Sequence, residues 1–410
     1  MSTTDTSEKG FETLIMRHMT GTDLPAEASA QSGGLAFVAE GIIAETPNAL
    51  AAAKAAVSGW LAGDPKDYDR THALDVPQLF SFLHATQPDT LKKLGIGDYR
   101  DARDINRQKF LARLSTEIGK RGVIDVLRKG VDHGPLHFNL FCGTPSPGNA
   151  KAAALHAQNR FSVTRQLRYS MDETRRALDL CLFINGLPIA TFELKNSLTK
   201  QTVEDAIEQY RRDRDPREKL FEFGRCVVHF AVDDAEVRMC TELHGKASWF
   251  LPFNKGWNDG AGNPPNPGGL KTDYLWKEVL TPVGLTNILE NYSQIVETSH
   301  LPAPRLRQAG EKTARKKRAQ VSPRYHQLDL VRALLAAVAV RRVGGRYLVQ
   351  HSAGSGKSNS IAWLAHQLVG LKPELLTWKG CQMSAFSLRT RRGWHSVAAG
   401  GSPGTYSPAR

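Results

Sequence analysis

Two short apolar segments separated by a turn stand out in the pattern of hydrophobic and polar positions along the chain. They span residues 178–184 and 189–194, and the pair Asn185-Gly186 lies between them. Each segment is too short for a stable helix, so both are predicted to be strands. Asn-Gly favours a hairpin turn because both residues tolerate positive φ angles. The pattern therefore predicts an antiparallel β-hairpin.

Three ionisable residues make the register of this hairpin important: Asp179, Glu193 and Lys195. Because side chains alternate along a strand, Glu193 and Lys195 share one face. A strict two-residue turn would set Asp179 opposite Phe192 and direct its carboxylate away from Glu193. A three-residue loop or a bulge would bring Asp179 across from Glu193, or one diagonal step away. The two acids can share an ion only if the turn is odd-numbered or bulged.

The chemistry of these three residues favours a metal-dependent nuclease site. Mg²⁺ takes carboxylate oxygens such as those of Asp179 and Glu193 and keeps positions for water and phosphate. Lys195 would orient the attacking water or stabilise the charge that develops on the phosphate. The alternative is a chance match, because this spacing is common and a lysine at a strand end is usually solvated.

The pattern on either side of the hairpin predicts an α/β fold. Residues 76–131 show helical periodicity, with breaks at Pro88 and near Gly95, and are interpreted as a helical insertion. Strands that would extend the sheet are predicted at 136–142 and 160–169, and a further buried strand is predicted at 225–232.

A helix is predicted directly after the hairpin, because apolar residues in 203–210 recur at positions i, i+3, i+4 and i+7. The arginine-rich stretch behind it includes Arg211, Arg212 and Arg214, which are predicted to contact a phosphate backbone. The alternative is a solvated helix end that carries mixed ion pairs.

A further helix is predicted near the start of the chain, where Phe11, Leu14, Ile15 and Met19 fall on one face. Glu12 begins this helix. We interpret it as a surface acid favoured by the helix dipole, in preference to a metal ligand.

Composition and charge narrow the class of protein. The chain has 410 residues, of which 41% are hydrophobic and 23% charged, and its formal net charge is +13. This surplus favours polyanionic partners, nucleic acid foremost. Five scattered cysteines show no paired metal spacing and indicate a reducing compartment. No segment is apolar for long enough to be a signal core or a membrane span, so a soluble cytoplasmic protein is predicted.

A glycine-rich loop, SAGSGKS at 352–358, is the second chemical motif. It follows the strand-like RYLVQ and precedes a helical pattern at 361–368, the context of a phosphate-binding loop. The predicted ATP ligands are Gly354, Ser355 and Gly356, whose backbone would face the phosphates, Lys357 for the β and γ phosphates, and Ser358 for Mg²⁺. The alternative is an ordinary turn before a helix.

Two residues near this loop complicate the motif. His351 stands where phosphate loops usually have a small residue. Gln327 begins the preceding helix, where some nucleic-acid motors bind adenine, although a surface residue is the preferred interpretation of Gln327 alone.

Five segments, in this order, resemble the restriction (R) subunit of type I restriction-modification enzymes. They are NRFSVTRQLRYS, ALDLCLFINGLPIATFELKN, QTVEDAIEQYRRDRDPRE, PRYHQLDLVRALL and LVQHSAGSGKSNSIAWLAHQL. The resemblance implies a PD-(D/E)xK-type nuclease core, with a central mixed sheet flanked by helices, joined to an ATP-driven superfamily 2 translocase. It places Asp179, Glu193 and Lys195 in the catalytic positions.

The same resemblance implies a type I site-specific deoxyribonuclease that uses Mg²⁺ and acts on double-stranded DNA, with specificity and methylation subunits as partners. The family also has a Q-x-x-x-Y pattern on the following helix. Tyr210 fits the tyrosine, but Ala206 stands in place of the glutamine. Gln201 and Gln209 are nearby, and Gln201 and Tyr210 are therefore additional catalytic candidates.

The predicted domain organisation follows from these segments. It comprises a nuclease domain at 1–253 with a helical insertion at about 21–133, a Gly/Pro-rich and basic connector at 254–322, the start of a P-loop motor at 323–370, and an aberrant, disordered tail at 371–410.

The motor fragment is expected to be incomplete, because no length is left after residue 368 for the acidic Mg²⁺ ligand and arginines of a full motor. Two hypotheses follow. One is a truncated chain that retains nuclease chemistry without ATP hydrolysis, and the other is a non-catalytic remnant that binds DNA or partner subunits.

Overall fold

A computed structural model describes residues 8–21, 58–172, 176–300, 315–341, 345–352 and 354–370, and the backbone of four short segments within 377–398. The chain divides into two compact units, Met1–Ser322 and Pro323–Arg410. None of the helices in these described parts combines the length and the apolar character needed to cross a bilayer.

The helices of the first unit are α1 Glu8–Thr20, α2 Val76–Thr86, α3 Pro88–Lys92, α4 Ile105–Arg121, α5 Val123–Lys129, α6 Ala150–His156, α7 Val203–Asp213 and α8 Pro282–Asn291, with a π-helix at Leu275–Val279. Short 3-10 turns occur at Pro65–Asp67, Ser197–Thr199 and Lys219–Phe221. The strands are β1 Trp60–Ala62, β2 Tyr68–Asp69, β3 Leu74–Asp75, β4 Val131–His133, β5 Leu136–Phe138, β6 Phe161–Arg168, β7 Ala177–Ile184, β8 Leu187–Leu194, β9 Val228–Val232, β10 Val237–Cys240, β11 Leu251–Pro252, β12 Gln294–His300 and β13 Arg315–Val321.

The main sheet has the strand order β1-β6-β7-β8-β9-β10-β11 among the described residues. β1 pairs with β6 and β8 pairs with β9 in parallel, and the other neighbours are antiparallel. The sheet is therefore mixed, and helices such as α1 and α7 pack against its strands. This confirms the predicted α/β architecture of a central mixed sheet flanked by helices.

The core of the first unit lies around β7 and β8. Every residue of β8 is buried, and so are Leu178 and the five residues of β7 that follow Asp179. Strands buried on both faces are near-continuous apolar runs, which is the pattern that made this stretch conspicuous in the sequence. Truncating a residue such as Phe183 to alanine would cost about 3–5 kcal/mol because it leaves a cavity.

Helix α7 forms as predicted. Thr202 and Asp205 make a capping box at its N-terminus, which satisfies backbone donors that the first turn leaves open. Its buried residues are Val203, Ala206, Ile207 and Tyr210. They belong to one apolar cluster with residues of β6 and β7, such as Leu167 and Phe183.

The helices predicted in 76–131 are confirmed, with α2 ending before Pro88 and a break around Gly95. Two other expectations for this part of the chain were wrong. β1 lies within the segment assigned to a helical insertion, yet it pairs with β6 in the main sheet. β5 pairs with β4 in a separate hairpin and does not extend the main sheet. Residues 22–57 of the predicted insertion lie outside the described residues.

The segment 254–322, predicted to be a connector, contains regular structure that packs within the first unit. β12 and β13 form an antiparallel pair, so the basic residues 315–318 are part of a strand. Gln320 of β13 is buried and donates hydrogen bonds to the carbonyls of Cys226 and Val227 at 2.7 and 2.9 Å. Residues 301–314 of the predicted connector lie outside the described residues.

The second unit contains α9 Tyr325–Arg341 and α10 Lys357–Val369, followed by strand pairs β14 Thr377–Trp378 with β15 Cys381–Gln382 and β16 Ala385–Thr390 with β17 Gly393–Ala398. The helix predicted after the glycine-rich loop is confirmed as α10. The strand predicted at RYLVQ is not, because residues 346–350 have no regular structure. Most of the predicted disordered tail, 371–410, lies outside the described residues.

Candidate active site

The β7–β8 hairpin has a two-residue turn followed by a bulge. Ile184 pairs with Leu187 across Asn185-Gly186, and both turn residues have positive φ angles, 50° and 80°. The register shifts between Leu182 and Phe183, so Leu180 pairs with Phe192. The same register, carried one residue further, sets Asp179 across from Glu193. The predicted bulge is therefore confirmed, and the alternative pairing of Asp179 with Phe192 is excluded.

Gly186 has a second reason to be a glycine besides its φ angle. A Cβ on this residue would collide with the backbone of Asp75 and Leu79 at the start of α2. The amide of Asp75 also donates to the carbonyl of Gly186 at 2.9 Å. The turn is thus held against α2, which fixes the hairpin and its register from the end opposite to Asp179.

The bulge brings the polar residues of the hairpin together. Asp179 Oδ2 accepts a hydrogen bond from the backbone N–H of Leu194 at 2.7 Å, directly between Glu193 and Lys195. The backbone N–H of Lys195 continues the pairing with β9 by donating to Val232 at 2.9 Å. Strand alternation therefore keeps Glu193 and Lys195 on one face.

Glu193 is fully buried and forms an ion pair with Arg214, which follows α7. Arg214 Nε lies 2.5 Å from Glu193 Oε1, and Arg214 also donates to the Ala177 carbonyl at 2.8 Å. The pKa of Glu193 is raised to about 8, mainly by burial and also by the nearby Asp179, against the opposing effect of Arg214. The site therefore concentrates acidic groups in a poorly solvated place, where an ionised carboxylate needs a cation to compensate it.

A third acid, Glu12, faces the same region, and the interpretation of Glu12 as a surface residue was wrong. Its side chain is almost fully buried, with a residue exposure of 2%. Arg165 Nε lies 2.8 Å from Glu12 Oε1, and Gln166 donates to Glu12 Oε2 at 2.9 Å. Burial raises the pKa of Glu12, and the proximity of Asp179 contributes in the same direction.

The sequence contains a signal for the burial of Glu12. Glu12 has helical spacing to Ile15, Met16 and Met19, all of which are buried, whereas Leu14 is 42% exposed. The buried face of α1 thus runs through Glu12, and an acid on an apolar face needs a partner.

The donor set fits a hard divalent cation such as Mg²⁺. Mg²⁺ sites in proteins use one or two carboxylates and complete their coordination with water and phosphate oxygens. Asp179 and Glu193 supply two carboxylates, and Glu193 Oε2 is buried with no hydrogen-bond partner. Within the described residues, however, no three His, Cys, Asp or Glu side chains form a ready-made metal cluster. Glu12 therefore adds charge near the site and does not complete a preformed cage.

Tyr210 and Gln201, the additional catalytic candidates, occupy different surroundings. The Tyr210 hydroxyl lies 2.8 Å from Thr191 Oγ1, and its ring packs between His229 and Phe250 in the core. Gln201 is partly exposed and accepts a hydrogen bond from Thr199 at 3.4 Å. Tyr210 is therefore directly behind the strand that carries Glu193, whereas the structure shows no contact of Gln201 with the acids.

The three arginines predicted to contact DNA are also placed differently from one another. Arg214 is buried on Glu193, which leaves its guanidinium away from the surface. Arg211 donates to the Ser248 carbonyl at 3.3 Å, and the exposed Arg212 forms an ion pair with Glu208. Arg212 has the exposure that a phosphate contact needs.

In the second unit, the glycine-rich loop leads into α10 through two residues with positive φ, Gly354 at 74° and Gly356 at 78°. Lys357 Nζ folds back onto the carbonyls of His351 and Ser352, at 3.0 and 3.2 Å. Ser358 is exposed in the first turn of α10, and Ser355 is buried.

Gln327 holds this loop from α9. Its amide donates to the carbonyls of Ser355 and Gly356 at 3.2 and 3.0 Å, and its oxygen accepts from the Arg324 backbone at 3.0 Å. Gln327 is buried, so its interpretation as a surface residue was wrong. Its observed contacts are with the loop itself.

Comparison with known proteins finds a family that the region around the acidic site resembles. Residues 107–248 match the family described as type I restriction enzyme R protein N terminus. These residues are therefore similar to the N-terminal region of type I R proteins. They include Asp179, Glu193, Lys195 and Arg214, whereas Glu12 precedes them.

One curated relative shows a similar resemblance. It is a protein of Methanocaldococcus jannaschii named as a type I restriction enzyme endonuclease subunit, MjaVIIIP, and it is 25% identical over 279 residues. The aligned part is 66% of this chain and 24% of the relative. The chain therefore spans about a quarter of the length of the curated protein that it matches.

Proposed function

We propose that this chain carries the nuclease site of a type I restriction endonuclease and cleaves phosphodiester bonds of double-stranded DNA with Mg²⁺. The observation that carries the proposal is the bulged hairpin, which sets Asp179 across from Glu193 with Lys195 on the same face. The R-protein family match over these residues supports it.

Each residue of the site would have a distinct role. Asp179 and Glu193 would hold the cation, which when bound polarises the phosphodiester and lowers the pKa of water. Lys195 would orient the water or stabilise the charge that develops on the phosphate. Arg214 would hold Glu193 in place, because it fixes one carboxylate oxygen and leaves Oε2 for a ligand. Glu12 would add to the negative potential that attracts the cation.

The same proposal implies a setting for the chain. Type I systems as a family pair the R subunit with specificity and methylation subunits in the cytoplasm, and we propose these as the partners and location here. Coupling to ATP-driven translocation would belong to a longer R subunit. This is consistent with a chain that spans about a quarter of its curated relative.

A nicking assay tests the proposal. Supercoiled plasmid is incubated with the full chain and Mg²⁺, and cleavage is compared among the wild type, Asp179→Ala and Lys195→Ala. Asp132→Ala and Lys151→Ala serve as matched controls, because both residues are exposed and lie outside the acidic site. We expect cleavage only in the wild type and the controls. Equal cleavage by all five proteins would contradict the proposed site.

The outcome also separates cleavage from binding. If the wild type binds plasmid DNA but shows no Mg²⁺-dependent nicking above the two site variants, the chain is a non-catalytic DNA-binding protein.

We also propose that the loop of the second unit binds ATP. The specific observation is that two left-handed glycines and Gln327 shape a loop at a helix N-terminus, which is where phosphate groups bind. Titration with a fluorescent ATP analogue tests it. Lys357→Ala should abolish binding, whereas Lys151→Ala should not change it.

A further inference from the structure

Gln166 has an unusual backbone in the middle of β6. Its φ angle is +50°, although it lies inside a strand and is not glycine. A long side chain in this region costs free energy, and such conformations persist only where the surroundings require them. An observed outlier of this kind calls for a physical reason, and the neighbours of Gln166 supply one.

The strand pairing is interrupted at this residue. Arg165 pairs with Leu180 and Leu167 pairs with Leu178, while Gln166 and Asp179 are absent from the register between them. Gln166 and Asp179 are linked through their side chains instead, because the Gln166 amide lies 3.4 Å from Asp179 Oδ1.

The local distortion changes the direction of two consecutive side chains. In a regular strand Arg165 and Gln166 would point to opposite faces. Here both reach the same carboxyl group, with Arg165 at Glu12 Oε1 and Gln166 at Glu12 Oε2, at 2.8 and 2.9 Å. The Gln166 amide therefore bridges Glu12 and Asp179, which come from α1 and β7.

We propose that Gln166 is a positioning residue that fixes the relative placement of Glu12 and Asp179 and so prepares the acidic site for a divalent cation. This inference rests on the proposed function of the site. The amide is suited to this role because it is neutral and donates two hydrogen bonds, so it can join two acids without supplying a positive charge that competes with the cation. Residues that orient metal ligands typically change metal affinity by about 10- to 100-fold when they are replaced.

The test separates the amide from the backbone strain. Gln166→Gly removes the side chain but tolerates the positive φ angle, whereas Gln166→Ala removes the side chain and keeps the strain. Gln158→Ala, at an exposed position after α6, is the matched control. For each full-length protein, binding of Mn²⁺ alone is measured by titration calorimetry, and the unfolding temperature is measured without metal.

We expect Gln166→Gly to bind Mn²⁺ about tenfold more weakly than the wild type, with an unfolding temperature within a few degrees of it. Gln166→Ala should show the same loss of affinity. Its unfolding temperature should lie below that of Gln166→Gly, because alanine keeps the backbone strain. Wild-type Mn²⁺ affinity in Gln166→Gly would overturn the role of Gln166 and leave the proposed nuclease site standing. A wild-type chain that binds no Mn²⁺ and does not nick plasmid would overturn both.

Discussion

In the first unit the acidic site takes its side chains from α1, β6, β7 and β8, whereas the glycine loop of the second unit is one continuous stretch of seven residues. Glu12 and Gln166 are 154 positions apart in the chain, but Gly354, Gly356 and Lys357 are nearly consecutive. The acidic site therefore exists only when the sheet is assembled. The loop depends mainly on local backbone geometry and on one contact from Gln327.

The acidic site and the glycine loop also differ in how far their charged groups are exposed to solvent. Glu193 and Glu12 are buried, and burial raises the pKa of both carboxyl groups. Lys357 and Ser358 are exposed. Buried charges interact strongly with each other and with a cation, whereas exposed charges are screened by water and salt. We therefore expect removal of a buried charge from the acidic site to change stability and metal binding together.

The largest effect is expected from the buried ion pair. Arg214→Met would leave Glu193 buried without its partner and should lower the free energy of unfolding by about 3 kcal/mol. Arg217→Met is the control, because its ion pair with Asp215 is solvent-exposed and should not affect stability measurably. Urea unfolding monitored by circular dichroism measures both. An Arg214→Met protein as stable as the control would show that the acidic site does not depend on this pair.

A pH-dependent effect, which is the smaller of the two between pH 5 and 7, is expected from His229 on β9. Its ring lies 2.7 Å from Thr191 Oγ1, and burial lowers the pKa of His229 to about 3 from its ordinary 6.5. Below pH 6.5 the unfolded chain takes up a proton that the folded chain excludes. The contribution of His229 to the free energy of unfolding should therefore fall as the pH drops towards 3, by up to ~1.4 kcal/mol per pH unit.

His351, in the second unit, is the control for this prediction. Burial also lowers the pKa of His351 beside the loop, but that side chain is partly exposed. As the pH drops from 7 to 5, His229→Gln should lose stability relative to its value at pH 7 less than the wild type does, and His351→Gln should follow the wild type closely. Equal slopes in His229→Gln and the wild type would contradict a neutral, buried His229.

The next prediction concerns the two glycines of the loop in the second unit and their effect on binding of the ATP analogue. Gly354 and Gly356 both have positive φ angles, but a Cβ at Gly356 would collide with the Gln327 side chain, whereas one at Gly354 would meet open space. Gly354→Ala should thus cost only backbone strain of about 1 kcal/mol, and Gly356→Ala should cost more. We expect Gly356→Ala to weaken binding of the ATP analogue more than Gly354→Ala does. The reverse order would argue against Gln327 as the support of the loop.

The smallest effect on stability is expected at Arg212, whose ion pair with Glu208 is exposed. Arg212→Ala should not change the unfolding free energy measurably. If Arg212 contacts a phosphate, the dependence of DNA affinity on salt concentration should lose about one unit of slope on logarithmic axes. Arg113→Ala, on the exposed side of α4, should keep the wild-type slope. Identical slopes in the two variants would remove Arg212 from the DNA interface.

Local pattern was enough to predict the elements that carry the chemistry. The hairpin, the need for a bulge, helix α7 and helix α10 all follow from side-chain periodicity and turn residues, and the structure has each of them. These features depend on neighbours within a few positions. That is also why the R-subunit resemblance could be recognised from short segments in order.

The sequence was less informative where distant segments meet. Leu136–Phe138 was predicted to extend the main sheet, and the basic residues of β13 were assigned to a connector, because propensity does not specify which strands pair. Arg214 looked like a surface cation for the same reason. A charge run indicates solvent only until a buried acid elsewhere in the chain becomes its partner.

The sequence by itself determined that Glu193 and Lys195 share a face, since alternation along a strand is a property of the backbone alone. Only the tertiary structure decided that Asp179 faces Glu193 and that Glu12 is buried beside them. It also decided that Gln166 adopts a positive φ angle and hydrogen-bonds to both Glu12 and Asp179. These contacts depend on how α1, β6 and β7 pack together. Packing selects them because charges and amides removed from water must find partners, wherever those lie in the sequence.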